Sequence, residues 1–170
     1  MQVIGIGNAI VDVLCRVDED FLVKNSLTKS TMKLINEDEF KKLLSMIKIE
    51  ETISGGSVAN SIVGLSYLGD KVGFIGKVSD DNLGKEYEKG LEKENVKFLY
   101  SKKKEPVPTG SCIILITPDS ERTMCTFLGT AGKINDQDID VENIKQAEIT
   151  LLEGYLWDEG EPKKAFDKAI

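Results

Sequence analysis

Apolar and polar positions along this chain switch repeatedly between two periods. Short apolar or β-branched runs, of the kind that fill strands, alternate with stretches whose apolar residues return every three or four positions, the spacing of a helix face. Gln2 to Gly7 contains Val3-Ile4-Gly5-Ile6 and predicts a buried strand; Val11 to Val17 predicts a second. Asp18 caps a short helix over residues 19–24, and Thr31 to Ile35 alternates as a strand. Asn36 with Glu39 spells a capping box, followed by the stripe Phe40, Leu43, Leu44 and Ile47. Gly55-Gly56 precedes a helix with Val58, Ile62, Leu65 and Leu68 on one face and Gly69 just past its end. Lys71 to Val78 reads as a strand, Asn82 to Lys93 as an amphipathic helix, and Val96 to Tyr100 as a short strand. Thr109 to Thr117 and Glu121 to Leu128 flank Pro118-Asp119-Ser120 as a hairpin. Asp136 to Gln146 predicts a helix, and Ile149 to Leu152 a buried strand. Glu161 to Ile170 predicts a last helix, with Pro162 in its first turn. Strands alternating with helices in this way define βαβ units around a parallel sheet. The last helix carries Ala165, Phe166, Ala169 and Ile170 on an apolar face, so Phe166 and Ile170 are expected to lack a partner strand, as if the sequence were cut within a larger domain.

Composition narrows the chemistry. The chain has 170 residues, 41% hydrophobic and 30% charged, which suits a globular domain. Its net charge is −7, the opposite of a nucleic-acid footprint. The one basic run, Lys102-Lys103-Lys104, sits beside Glu105-Pro106 and reads as a solvated loop. The sequence has no histidine, which removes Ser-His-Asp and Cys-His catalysis and the commonest zinc ligand. Cys15, Cys112 and Cys125 form no CxxC pair, and reduced thiols in a cytoplasmic protein are expected. The longest apolar runs, such as 112–116, are too short to span a bilayer, and no basic residue precedes the first one, so neither a membrane span nor a secretory signal is expected.

Three short motifs carry candidate chemistry. Gly5-Ile6-Gly7-Asn8-Ala9-Ile10 half-matches a dinucleotide fingerprint, but Val11, Val13 and Val17 favour a strand where that site needs a helix N-terminus. Asn8 and Asp12 lie at the exit of the first strand, where open α/β sheets bind ligands, and could hold sugar hydroxyls or simply form a turn. In Ser54-Gly55-Gly56-Ser57-Val58-Ala59-Asn60, two glycines let the backbone approach a ligand and the helix that follows offers free amides; the plainer reading is a turn with a serine cap.

Gly55-Gly56-Ser57-Val58-Ala59-Asn60, Leu68-Gly69 and the run from Gly73-Phe74-Ile75-Gly76-Lys77-Val78 through Ser79-Asp80-Asp81-Asn82-Leu83-Gly84 together resemble the N-terminal signature of the PfkB-type carbohydrate kinases, the ribokinase-like family. The opening Gly5 to Asp12 agrees with that family. Thr109-Gly110-Ser111-Cys112 and Glu121-Arg122-Thr123 are most similar to its adenosine-kinase-like branch.

The resemblance implies a three-layer α/β core with a parallel sheet and a small β-sheet lid that closes over the acceptor and excludes water. Residues 1–10, 36–108 and 128–170 would form an incomplete core, and 11–35 and 109–127 the lid. Asp12 would hold sugar hydroxyls, with Asn8, Gly55, Gly56, Ser57 and Asn60 completing that contact. Met32 and Leu34 would lie against a base or aglycone, and Cys112, Met124 and Phe127 would add apolar lid contacts. Arg122 would offset charge on the transferring phosphate. The activity implied is ATP- and Mg²⁺-dependent phosphorylation of a primary hydroxyl on a nucleoside, adenosine first, or on a sugar. The family's Gly-Ala-Gly-Asp motif, which brings the catalytic base, is absent from this sequence. The chain therefore reads as the N-terminal half of such a kinase, inactive alone. A non-catalytic nucleoside- or sugar-binding module, or an interaction domain pairing as a homodimer through the lid, stands as the alternative.

Overall fold

The computed structural model describes residues 1–101, 103–157 and 160–170. The described residues build two sheets from nine strands, with six α-helices between and around them. The first sheet is wholly parallel, in the order β6 (Lys97–Phe98), β5 (Val72–Ile75), β1 (Val3–Ile6), β9 (Ile149–Leu152). Alternation along β1 splits its side chains between two layers. Val3 joins Val58 and Ile62 of α3 (Ser57–Tyr67) and Tyr87 and Leu91 of α4 (Asn82–Lys93). Ile4 and Ile6 join Ala165 and Phe166 of α6 (Glu161–Ala169). The result is a helix–sheet–helix sandwich.

The second sheet runs β3 (Met32–Leu34), β8 (Arg122–Phe127), β7 (Ser111–Ile116), β2 (Ile10–Arg16), β4 (Glu51–Gly55). Its back face, with Val13, Cys15, Ile113, Leu115, Cys125 and Phe127, is buried under Leu22 of α1 (Glu19–Lys24) and Phe40 and Leu43 of α2 (Glu37–Leu44). Its front face buries Ile10, Cys112 and Ile114 against Ala131 and leaves Met32, Leu34, Ile53 and Met124 exposed.

Local signals act as expected at several ends. The Asp18 carboxylate accepts from Phe21 N at 2.7 Å, and Asn36 and Glu39 exchange both capping bonds, at 2.9 and 3.0 Å. Gly69 follows the end of α3 with φ +98°, while Asp70 N and Gly69 N bond back to Leu65 and Ser66 in a Schellman motif.

Several expectations are corrected. Residues 51–55 form β4, an edge strand of the second sheet, and α2 packs on that sheet's back; segment 36–55 therefore goes with the second sheet and not with the core. Residues 136–146 are not one helix: Asn135 caps a 3-10 turn (Asp136–Asp138), Ile139 is extended, and Asp140 caps a new helix, α5 (Val141–Lys145). Strand β9 is not buried, because β1 covers only one of its edges; Ile149 is 60% exposed. Phe166 does have partners, lying wholly buried with its ring 5.6 Å from Trp157, whereas Ile170 is exposed. Phe127 faces backward onto Phe40, ring centroids 5.7 Å apart, and so is not on the lid's front. Of the basic run, Lys102 lies outside the described residues, and Lys103 pairs with Asp138 at 3.3 Å.

Candidate functional site

Strand β1 leaves the core sheet at Ile6 and enters the second sheet at Ile10, with only Gly7-Asn8-Ala9 between. No helix follows Gly7, so the dinucleotide reading has no amide cluster to rest on. This corner meets the N-terminus of α3 and the C-terminal end of β9. Gly56 sits there with φ +107°, and a β-carbon on it would run into the Asn8 carbonyl oxygen. A β-carbon on Gly55 would lie 2.7 Å from Asp12 Cγ, so the glycine makes room for that carboxylate.

Asp12 lies on the front of β2, on a rung with Ile53, Cys112, Thr126 and Leu34. Among the described residues, no donor reaches its carboxylate. Half-burial without a partner raises its pKa to about 6, because desolvation disfavours the charged form. Asn8 is 7% exposed, and its Oδ1 is buried without a hydrogen-bond partner. Two acceptors therefore stand at one corner in need of donors.

Glu153, which the sequence reading passed over, closes the floor. It is buried at the end of β9 and accepts from Asn8 N with one oxygen and from Ser57 Oγ with the other. A β-carbon on Gly7 would lie 2.6 Å from its Oε2. The signal was present: a lone carboxylate directly after the apolar run Ile149 to Leu152, at the strand end where α/β sheets place ligand groups.

The structure gathers Asn8, Asp12, Gly55, Gly56 and Ser57. Beyond Asp12 the front becomes mostly apolar: the next rung carries Leu14, Ile114, Met124 and Met32, with exposed Glu51 at its β4 edge. Met32 and Leu34 are exposed, and Cys112 is buried, with its sulfur 3.2 Å from Thr126 Oγ1. Two residues stand apart. Asn60 lines a groove of about 580 Å³ between β4, α3 and α4, walled by Val11 and Ser54, whose rung faces away from Asp12. Arg122 is exposed opposite Ile116 and Arg16, four residues along β2 from Asp12, or about 13 Å at strand rise.

A parallel α/β sandwich whose first strand runs into a small second sheet, with a polar corner between them, is the architecture of the ribokinase-like proteins. Residues 25–170 match the model of the pfkB family carbohydrate kinases, and the chain belongs to that family. It superposes on the adenosine kinase of Sinorhizobium meliloti with a TM-score of 0.88 at 37% identity, covering 99% of this chain and 51% of that one. A probable sugar kinase from Rhizobium etli CFN 42 gives a TM-score of 0.89 at 33% identity, with the same coverage. In sequence it is 33% identical over 138 residues to a 5-dehydro-2-deoxygluconokinase of Clostridium perfringens, covering 79% of this chain and 41% of the relative. The chain thus spans about half of the two kinases of known structure and 41% of the Clostridium relative.

Proposed function

We propose that this chain carries the acceptor-binding part of an ATP-dependent kinase that phosphorylates a primary hydroxyl of a nucleoside, adenosine in preference to a free sugar. The observation that supports it is the Asp12 carboxylate, without a partner among the described residues and adjoined by apolar side chains. A carboxylate and the Asn8 amide oxygen ask for hydroxyl donors, as on a ribose. The adjoining Leu34, Leu14, Ile114, Met124 and Met32 ask for a flat apolar group beyond it. The Clostridium relative is named for an acidic sugar, yet the Asp12 rung and its neighbours hold no lysine or arginine on this face to meet an acid. Burying on the order of 100 Å² of a base at about 25 cal/mol/Å² contributes about 2.5 kcal/mol, or one to two orders of magnitude in affinity.

In this reading the second sheet is a lid. Its closure excludes water and brings Arg122 toward the transferring phosphate. Asp12 and Asn8 hold the acceptor by its ring hydroxyls and leave its primary hydroxyl free for the transfer. ATP and Mg²⁺ are the co-reactants the family implies. Among the described residues, no group of three potential metal ligands stands together, and both Glu153 oxygens are already engaged, so these residues do not fit the metal. Buried reduced thiols suit a cytoplasmic setting.

Calorimetric titration of the full-length protein with adenosine, ribose and gluconate tests the reading. Adenosine should bind at least tenfold more tightly than ribose and yield ADP from ATP. Equal affinity for ribose would overturn the nucleoside preference. Binding without ADP would leave a binding module, and a front face buried by a second copy would leave an interaction domain.

A further inference from the structure

We infer that Lys77 is a positioning residue that anchors both linkers of the β7–β8 hairpin, so that the hairpin pivots where Gly110 meets Gly129. The inference rests on reading the second sheet as a lid.

Lys77 is a buried lysine on the loop after β5, outside the corner at Asp12. Its ammonium lies 3.0 Å from Asp138 Oδ2 and 3.3 Å from Glu105 Oε1. The three side chains are only 7%, 1% and 17% exposed. Glu105 belongs to the linker that enters the hairpin. Asp138 belongs to the segment that leaves it. The Lys77 carbonyl also accepts from Thr130 Oγ1 at 3.4 Å, again on the exit side. One core residue thus holds the chain on both sides of a hairpin spanning residues 111–127.

A second tie limits the entry linker. Asp81 accepts from Thr109 N and Thr109 Oγ1 at 2.9 and 2.8 Å, and Thr109 Oγ1 accepts from Ser79 N at 3.0 Å. Thr109 and Thr130 are each 1% exposed, and Thr130 N bonds to the Pro108 carbonyl at 3.0 Å. The next residues toward the hairpin are Gly110 and Gly129. Gly129 has φ +52°, and a β-carbon on it would lie 2.8 Å from Gly110 N. Immobilised threonines on one side, crossing glycines on the other: the pivot is set between them.

A buried ion pair stabilises little against apolar side chains of the same size, so what it supplies is a fixed arrangement. Here that arrangement joins three segments far apart in sequence.

The test is hydrogen exchange on the full-length protein, wild type against the charge-free triple variant Lys77→Met, Glu105→Gln, Asp138→Asn. The triple variant leaves no buried charge unpaired and so should fold. Without ligand, amides in 103–109 and 130–138 should exchange at least tenfold faster in the variant, with β1 and β5 unchanged. With saturating adenosine, protection of 111–127 should fall in the variant by a similar factor. A uniform rise in exchange, or a lowered melting temperature with the linkers still protected, would overturn the inference. If adenosine and sugars fail to protect the wild-type hairpin, the nucleoside-kinase reading fails, while the ligand-free comparison still decides the role of Lys77.

Discussion

Asp12 and Gly55 share one volume: the carboxylate stands where a β-carbon on the glycine would be, its Cγ 2.7 Å from that point. They lie on neighbouring rungs, Asp12 opposite Ile53 and Gly55 opposite Ile10, so Asp12 leans toward the start of α3. The lean places the acid at the corner, half-buried and unpaired.

That placement costs stability. The folded pKa of Asp12, about 6, lies above its ordinary 3.8, so the native state binds the proton more readily between those values. Native stability therefore falls as pH rises from about 4 to 6, by on the order of 2–3 kcal/mol. Asp12→Asn should stabilise the ligand-free protein at pH 7 and flatten that dependence in thermal melts from pH 4 to 8. The same change should weaken acceptor binding at least tenfold. Wild-type affinity should fall as pH drops through 6, when the carboxylate gains its proton.

Gly56→Ala should cost at least about 2 kcal/mol, because φ +107° is strained for alanine and the new methyl meets the Asn8 carbonyl. Gly55→Ala should cost less stability and more affinity, since it displaces the flexible end of Asp12. Denaturant melts paired with titrations separate the two.

Glu153→Ala should destabilise by about 1–3 kcal/mol, because the Asn8 amide loses its acceptor in a buried site. Glu153→Gln keeps one acceptor oxygen and should recover most of that loss. Equal effects of the two in urea unfolding would mean that the charge, and not the hydrogen bond, is what the corner requires.

The three thiols should be inert in the native protein. All are buried, and burial pushes Cys15 and Cys112 up to about 11 and Cys125 upward as well. A thiol reagent at pH 8 should label none within minutes and all three in denaturant.

Arg122→Ala should leave the melting temperature unchanged, since the residue is exposed. Under the proposed phosphotransfer it should lower kcat by at least tenfold with little change in acceptor KM, the pattern of a contact made in the transition state. Lysine should rescue poorly, lacking the planar fork. An unchanged kcat would make Arg122 a solvated charge at the hairpin's far end.

The readable parts of this fold are those with a local cause. Asp18, Asn36 and Gly69 each end an element through their own side chain or backbone, and the structure puts those ends where the residues do. What escaped depends on distant neighbours. Glu51 to Gly55 has one large apolar residue, Ile53, because β4 is an edge strand, and an edge leaves little hydrophobic trace. The break at Ile139 is the exception, with a local cause: Asn135 caps the 3-10 turn, and Asp140, inside the apparent helix, caps a new one. At the site, Asn8, Asp12 and the glycine pair were legible as motif residues. Glu153 shows in the sequence only as a carboxylate at a strand end; its role as acceptor for Asn8 and Ser57 does not, since they lie 145 and 96 residues away.

Only Gly7, Asn8 and Ala9 separate the strand that ends at Ile6 from the one that begins at Ile10. With so short a joint, the pleat of the central sheet sets the parity of its neighbour. One inserted residue there would turn β2 over. Val13 and Cys15 would swing to the open front, and Asp12 would be driven toward Leu22 and Phe40, among side chains with no hydroxyl to offer it. The length of three residues, as much as their identity, decides that this protein has an acid in a cleft instead of a charge in its core.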